Sequence, residues 1–304
     1  MTPLAEWIRE QIQHYPNQRV TFAQFMTWAL YHPTLGYYSR SKIKLGKKGD
    51  YYTSAHVHNV FGETLAYALC RLAKNFNGEL WNIVEFGAGD GRLAASILPT
   101  LAQSDVRRSF CHYYIVETSP YHRQLAQCQL GHHLCVRWIE SQDEKVTSKP
   151  VIVISNELID AMPVHRLRYI NGEWLEVYVT WQKQTATFEE VTAACSSDEL
   201  VQYVQEERPP ARHGQTIEVP RAAREWLQRV ALAVRKGYVL TIDYGYSKEQ
   251  LWRPERREGT LVCYSQHRAH TDPYKRVGEQ DMTTHVNFSS LQRWGEQYGL
   301  NTLQ

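Results

Sequence analysis

A chain of 304 residues with 43% hydrophobic and 22% charged side chains has the composition of a folded globular protein, which excludes a disordered or fibrous chain and fits one large domain with an elaboration. Its 34 basic and 32 acidic residues leave a net charge of +2, so electrostatics give no reason to expect a nucleic acid partner. The six cysteines, at 70, 111, 128, 135, 195 and 263, contain no Cys-x-x-Cys pair, which argues against a zinc ribbon or a dithiol redox centre and for reduced thiols.

The chain enters an amphipathic helix at once, over residues 4–15, with no leader of the secretory or organellar kind ahead of it. No run approaches the roughly 20 apolar residues that cross a bilayer. A cytoplasmic protein without a membrane span is the expectation. A second helix is expected over 21–31, followed by a loop rich in Gly, Tyr and Lys over 33–54. Apolar residues at helical spacing over 61–76 end at Asn77-Gly78, a C-cap signal.

From there strand-like runs at 81–86, 113–117, 133–138, 151–155 and 238–243 alternate at first with helical patterns at 92–102 and 120–129. That alternation predicts an α/β fold with a doubly wound, Rossmann-like parallel sheet. Between the fourth and fifth runs lies an insert with a β-prone pair around Asn171-Gly172, a strong hairpin signal, and further β-prone residues at 185–191 before a helix at 221–234. The organisation expected is an N-terminal helical segment and cofactor lid over 1–76, a Rossmann-like body over 77–163 and 235–304, and an inserted β-rich, substrate-facing cap over 164–234.

The chemistry starts where the first buried strand turns into a helix, at Glu85-Phe86-Gly87-Ala88-Gly89-Asp90-Gly91. Glycines at 87, 89 and 91 let the backbone turn sharply and approach a ligand. A dinucleotide fingerprint would need glycine at position 92, which is Arg92, and the Gly-Lys-Ser/Thr of a phosphate-binding loop is absent. Glu85 suits a cationic cofactor and would repel a pyrophosphate. Glu117 ends the second strand, where a carboxylate can accept hydrogen bonds from both hydroxyls of a ribose. Together these features point to S-adenosyl-L-methionine.

The fourth strand ends in Asn156-Glu157-Leu158-Ile159-Asp160-Ala161-Met162-Pro163. If that segment is one helical turn, Glu157 and Asp160 project on the same side, toward the acceptor of the methyl group. Methyl transfer from a sulfonium needs an in-line nucleophile, which a carboxylate can orient and deprotonate, so Glu157, Asp160 and Asn156 are the candidate catalytic residues. The histidines at 56, 58, 112, 122, 132 and 133 have no carboxylate or cysteine at ligand spacing, and no metal is expected.

These runs resemble the MidA/NDUFAF7 family of class I methyltransferases over nearly the whole chain. The resemblance is carried by Gly36-Tyr37-Tyr38, by Gly49-Asp50-Tyr51-Tyr52-Thr53-Ser54, by Phe61-Gly62-Glu63 and by Val116-Glu117-Thr118-Ser119-Pro120. It is most specific in Asn156 to Val164 and in Gly278-Glu279-Gln280-Asp281-Met282-Thr283-Thr284-His285-Val286, with Asp243-Tyr244-Gly245 between them. It implies a protein arginine methyltransferase whose acceptor is a subunit of respiratory complex I, with Thr53 and Ser54 in a loop that folds over the cofactor. Ala55-His56 stand where the family usually has Pro-Glu. Relatives continue past the helix at 289–298, so the run at 238–243 is expected at an uncovered edge of the sheet. Two other readings are a small-molecule methyltransferase and a non-catalytic assembly factor that binds S-adenosyl-L-methionine.

Overall fold

Thr2 and Thr21 start the first two helices in the same way, each hydroxyl accepting a backbone N–H three residues on, from Ala5 and Gln24. A computed structural model describes residues 1–41, 59–140 and 148–303. Helices Pro3–His14 and Phe22–Tyr31 flank a short strand, β1 (Arg19–Thr21), and their apolar stripes, including Ile8, Phe25 and Met26, form one hydrophobic cluster.

The third helix, Val60–Lys74, leads through Asn77, in left-handed backbone at φ +53°, into β2 (Trp81–Phe86). Helix Arg92–Gln103 follows, then β3 (Phe110–Val116), helix Pro120–Leu130, β4 (Val136–Trp138) and β5 (Val151–Asn156). The third expected strand, over 133–138, begins later than the apolar pattern indicated, at Val136, because residues before it complete a turn in which the His133 N–H donates to Leu130 O.

After β5 the chain leaves the sheet for an antiparallel insert. There β6 (His165–Ile170) and β7 (Glu173–Gln182) are joined by Asn171-Gly172, both at positive φ (+51° and +92°), as a tight hairpin requires. β8 (Thr187–Ala193) pairs with β7, helix Asp198–Glu207 follows, and β9 (Thr216–Val219) pairs with β6. β1 also joins β7, so the N-terminal segment is stitched into the insert. Helix Arg221–Ala233 returns the chain to β10 (Gly237–Ile242).

The strands β10-β5-β2-β3-β4 form one parallel sheet in that order. β2 and β5 are buried through five consecutive residues each, as expected of strands covered on both faces. Helices Val60–Lys74 and Arg92–Gln103 cover one face and helices Arg221–Ala233 and Phe288–Gln297 the other, each with its own apolar cluster. This is the doubly wound, Rossmann-like arrangement the alternation predicts. Among the described residues β10 pairs with β5 alone, and it stands at the sheet's edge with every residue half-buried.

Beyond β10, β11 (Gly245–Tyr246) pairs in parallel with β15 (Val286–Asn287). β12 (Val262–Ser265), β13 (Arg268–His270) and β14 (Asp281–Thr283) form a separate three-stranded sheet. The β12–β13 hairpin turns at Gln266-His267 and brings Tyr264 and His267 over the carboxyl ends of the central strands, where α/β sheets bind ligands.

Candidate functional site

Gly87, Gly89 and Gly91 all take left-handed backbone, at φ +69°, +57° and +84°, so the turn between β2 and its helix is built on the three residues that tolerate it. They serve different ends. A Cβ on Gly87 would stand 2.8 Å from Leu158 Cδ1, and one on Gly91 would stand 3.0 Å from Ala126 and Leu130, so Gly91 lets two helices pack closely. The Gly89 N–H donates to Glu117 Oε2 at 2.9 Å, and the Ser119 N–H donates to Glu117 Oε1 at 2.7 Å. Ser119, rather than Glu117, caps helix Pro120–Leu130, and the Ser119 hydroxyl also donates to the Tyr38 carbonyl at 2.6 Å.

Glu85 is 2% exposed and accepts the Tyr113 hydroxyl at 2.8 Å. Burial pushes its carboxyl up from an ordinary 4.5 to about 7; the Tyr113 hydrogen bond works against this, and the negative charges of Glu117 and Asp90 add to it. A cationic ligand beside Glu85 would reverse that destabilisation of the charged form.

At the end of β5 the structure corrects one expectation. Residues 156–163 form a bend with one closed turn, the Met162 N–H donating to Ile159 O at 3.1 Å, and Glu157 and Asp160 do not share a helical turn. The Glu157 N–H donates to Ile242 O at 2.8 Å, with Glu157 itself at φ +49°. The Ile159 and Asp160 N–H groups donate to Asp243 Oδ2 at 3.0 and 3.3 Å. The bend nevertheless brings Asn156, Glu157 and Asp160 to the wall of one cavity of about 700 Å³, which Glu85, Gly87, Gly89 and Glu117 also line. Asn156 Nδ2 lies 3.5 Å from Glu157 Oε1, and Asn156 Oδ1 is buried without a hydrogen-bond partner.

Asp160 is 3% exposed; its Oδ2 accepts the Tyr244 hydroxyl and its Oδ1 has no partner among the described residues. Burial first, then the charges of Asp243, Asp281 and Glu157, hold its acid well above the ordinary carboxylate range despite the Tyr244 hydrogen bond. Burial likewise lifts Asp243 to about 6, against its backbone hydrogen bonds.

Several residues of this cavity escaped the sequence reading. Tyr38 donates its hydroxyl to Asp281 Oδ1 at 2.7 Å, and Tyr31, Tyr244 and Tyr264 stand in the same wall. Gly36-Tyr37-Tyr38, Asp243-Tyr244-Gly245 and the Gly278 to Val286 run were visible as motifs; that Asp281 is 2% exposed was not. Thr53, Ser54 and the Ala55-His56 departure lie outside the described residues. A second, largely apolar cavity of about 370 Å³ adjoins the first at Gly87, Thr118 and Leu158 and is walled by Phe86, Ile139 and Trp226.

Residues 64–304 match the model of a protein family described as "Putative S-adenosyl-L-methionine-dependent methyltransferase". The crystal structure of a Burkholderia thailandensis protein bound to S-adenosyl-homocysteine superposes with a TM-score of 0.85 at 29% identity, covering 97% of this chain and 76% of that one. A native structure from the same organism gives 0.82 at 29% identity, covering 97% and 75%. Curated relatives include the mitochondrial protein arginine methyltransferase NDUFAF7 homologue of Drosophila melanogaster, 26% identical over 92% of this chain and 67% of its own length. The human mitochondrial protein arginine methyltransferase NDUFAF7 is 24% identical over 91% and 66%. The chain therefore spans about two thirds of the length of these relatives. Their names overturn the expected cytoplasmic location, since they point to mitochondria. A targeting segment is an address read apart from the fold, so a helix at residues 4–15 says nothing of compartment. No helix among the described residues is long and apolar enough to cross a membrane. The chain belongs to this family of methyltransferases, and its cofactor is S-adenosyl-L-methionine.

Proposed function

We propose that this methyltransferase modifies an arginine side chain of a protein, with Glu157 as the group that accepts the proton. The observation that carries this reading is the shared cavity, in which Glu157 and Asp160 face the same space as the glycine turn. The names of the curated relatives support arginine as the acceptor, and the sequence resemblance supports a subunit of the respiratory complex I type as the protein that carries it.

When bound, S-adenosyl-L-methionine supplies an electrophilic methyl carbon on a sulfonium. Gly87 and Gly89 would keep the turn open to its amino-acid end, Glu85 would offset the ammonium charge, and Glu117 would accept the ribose hydroxyls. Glu117 can do so while holding the Gly89 and Ser119 N–H groups, because an ionised carboxylate offers about four lone-pair sites. The apolar cavity behind Thr118 and Leu158 suits the adenine.

On the acceptor side a guanidinium holds its proton until well above pH 12, so it attacks only when oriented and relieved of a proton as the new bond forms. Glu157 meets both needs. Its left-handed backbone, tied to Ile242 O, fixes where the carboxylate enters the cavity, and Asn156 steadies it from the side.

Incubation with radiolabelled S-adenosyl-L-methionine and a cell extract tests the proposal. A labelled protein that yields methylarginine on hydrolysis is the expected result. Label only in a small molecule, or cofactor binding without label, would overturn it in favour of a small-molecule enzyme or a non-catalytic assembly factor.

A further inference from the structure

The cavity that Glu157 lines also has acidic and aromatic walls. Two buried carboxylates there are each held by a tyrosine hydroxyl from a distant part of the chain: Tyr244 donates to Asp160 Oδ2, and Tyr38 donates to Asp281 Oδ1 at 2.7 Å. Both aspartates are 3% exposed or less. Among the described residues Asp160 Oδ1 has no donor, though it is buried in a residue that lines the cavity. A buried polar atom without a partner costs stability unless a ligand satisfies it.

The rings point the same way. Tyr31 and Tyr38 stand with centroids 5.3 Å apart, and Tyr31 is fixed by donating its hydroxyl to the Ala161 carbonyl at 2.9 Å. Tyr244 and Tyr264 add two more faces to the wall. Aromatic faces and carboxylates together attract cations, and a flat guanidinium most of all, since it stacks on rings while presenting five N–H donors.

We propose that Asp160 and Asp281, set by Tyr244 and Tyr38 and walled by Tyr31 and Tyr264, form a guanidinium-binding subsite that anchors the acceptor arginine beside Glu157. The subsite rests on the proposed arginine specificity and divides the carboxylates by role. Glu157 takes the proton, while Asp160 and Asp281 hold the cation and accept its remaining N–H groups. Asp281 is thereby a specificity residue for the acceptor that touches no part of the cofactor.

The test uses three adenosine compounds that carry the cofactor's amino-acid arm and, in place of the methyl group, a short alkyl chain ending in a guanidine, a neutral urea of the same shape, or a primary amine. Their affinities are measured by calorimetry on the whole chain, with S-adenosylhomocysteine as the reference for the cofactor site. The guanidine is expected to bind about tenfold or more tighter than the urea, the range for hydrogen bonds to charged groups. Asp281→Asn is expected to reduce that ratio to about threefold or less and to leave S-adenosylhomocysteine affinity unchanged. Should Asp281→Asn fail to fold, Tyr38→Phe removes one hydroxyl at the same subsite and is expected to lower the ratio about threefold. Equal binding of guanidine and urea, or an undiminished ratio in a folded variant, would overturn the subsite while leaving the labelling result for arginine intact. A preference for the amine over the guanidine would overturn the subsite's guanidinium assignment and the arginine reading together.

Discussion

Replacing Glu85 with Gln exchanges a buried acid for a neutral group of the same shape, and the consequence depends on pH in a direction that can be worked out beforehand. The folded chain holds the Glu85 proton with a pKa of about 7, against an ordinary 4.5. The folded state therefore binds this proton more tightly than the unfolded one, and the contribution is fully present below pH 4.5 and lost as pH rises through 7. At about 1.4 kcal/mol for each step of one in pKa, the loss amounts to about 3 kcal/mol. The stability of Glu85→Gln relative to the unmodified protein should thus rise by about that amount between pH 4.5 and pH 8, followed by urea unfolding at each pH. Binding reads the same group from the other side. The ammonium of S-adenosylhomocysteine beside Glu85 favours the carboxylate, so the unmodified protein should release protons on binding and gain affinity as pH rises toward 7, by at most about tenfold for each pH step. Glu85→Gln should bind more weakly at pH 8 and show no such rise. Calorimetry at pH 6.5 in two buffers of different ionisation enthalpy measures the released protons directly. A binding enthalpy that does not change with the buffer, together with pH-independent affinity, would refute the placement of Glu85 against the ammonium.

Gly89→Val puts a branched side chain on backbone at φ +57° and should abolish measurable S-adenosylhomocysteine binding in calorimetry, since the strain and the Cβ both close the turn; binding at unmodified affinity would place the cofactor elsewhere. Glu157→Gln should lower kcat by about 10²-fold or more, the scale of a lost general base, with cofactor affinity nearly unchanged in the same preparations. A normal rate, or joint loss of binding and turnover, would shift the base role to Asp160. NAD should not bind, because Arg92 stands at the third glycine position and Glu85 would face the pyrophosphate; saturable micromolar NAD binding would contradict the reading of the turn.

The parts of this molecule that were legible in its sequence are those where neighbours along the chain decide the outcome. Five strand-like runs became the five strands of the parallel sheet, because a strand covered on both faces must be apolar throughout and is bounded by turns. Asn171-Gly172 became a hairpin since both positions need positive φ, and the glycine turn was readable for the same reason. The acceptor side was different. Tyr38 reaches Asp281 across 243 positions, and Tyr244 reaches Asp160 across 84, so no local period or spacing could announce either pair. The helical turn expected to join Glu157 and Asp160 gave way to a bend that distant groups hold: Ile242 and Asp243 accept the Glu157, Ile159 and Asp160 N–H groups from β10 and the residue after it, and the one local turn is closed by Met162 on Ile159. Glu157 shows why this matters for chemistry. Isolated, a glutamate avoids φ +49°, a conformation that costs of order 1–2 kcal/mol. It is kept there by the hydrogen bond its N–H donates to Ile242 O of a neighbouring strand, and strain of this kind persists only where the surrounding fold over-determines it. Glu157 thus lines the cavity in backbone that its own segment would not choose, and its geometry is set by the sheet.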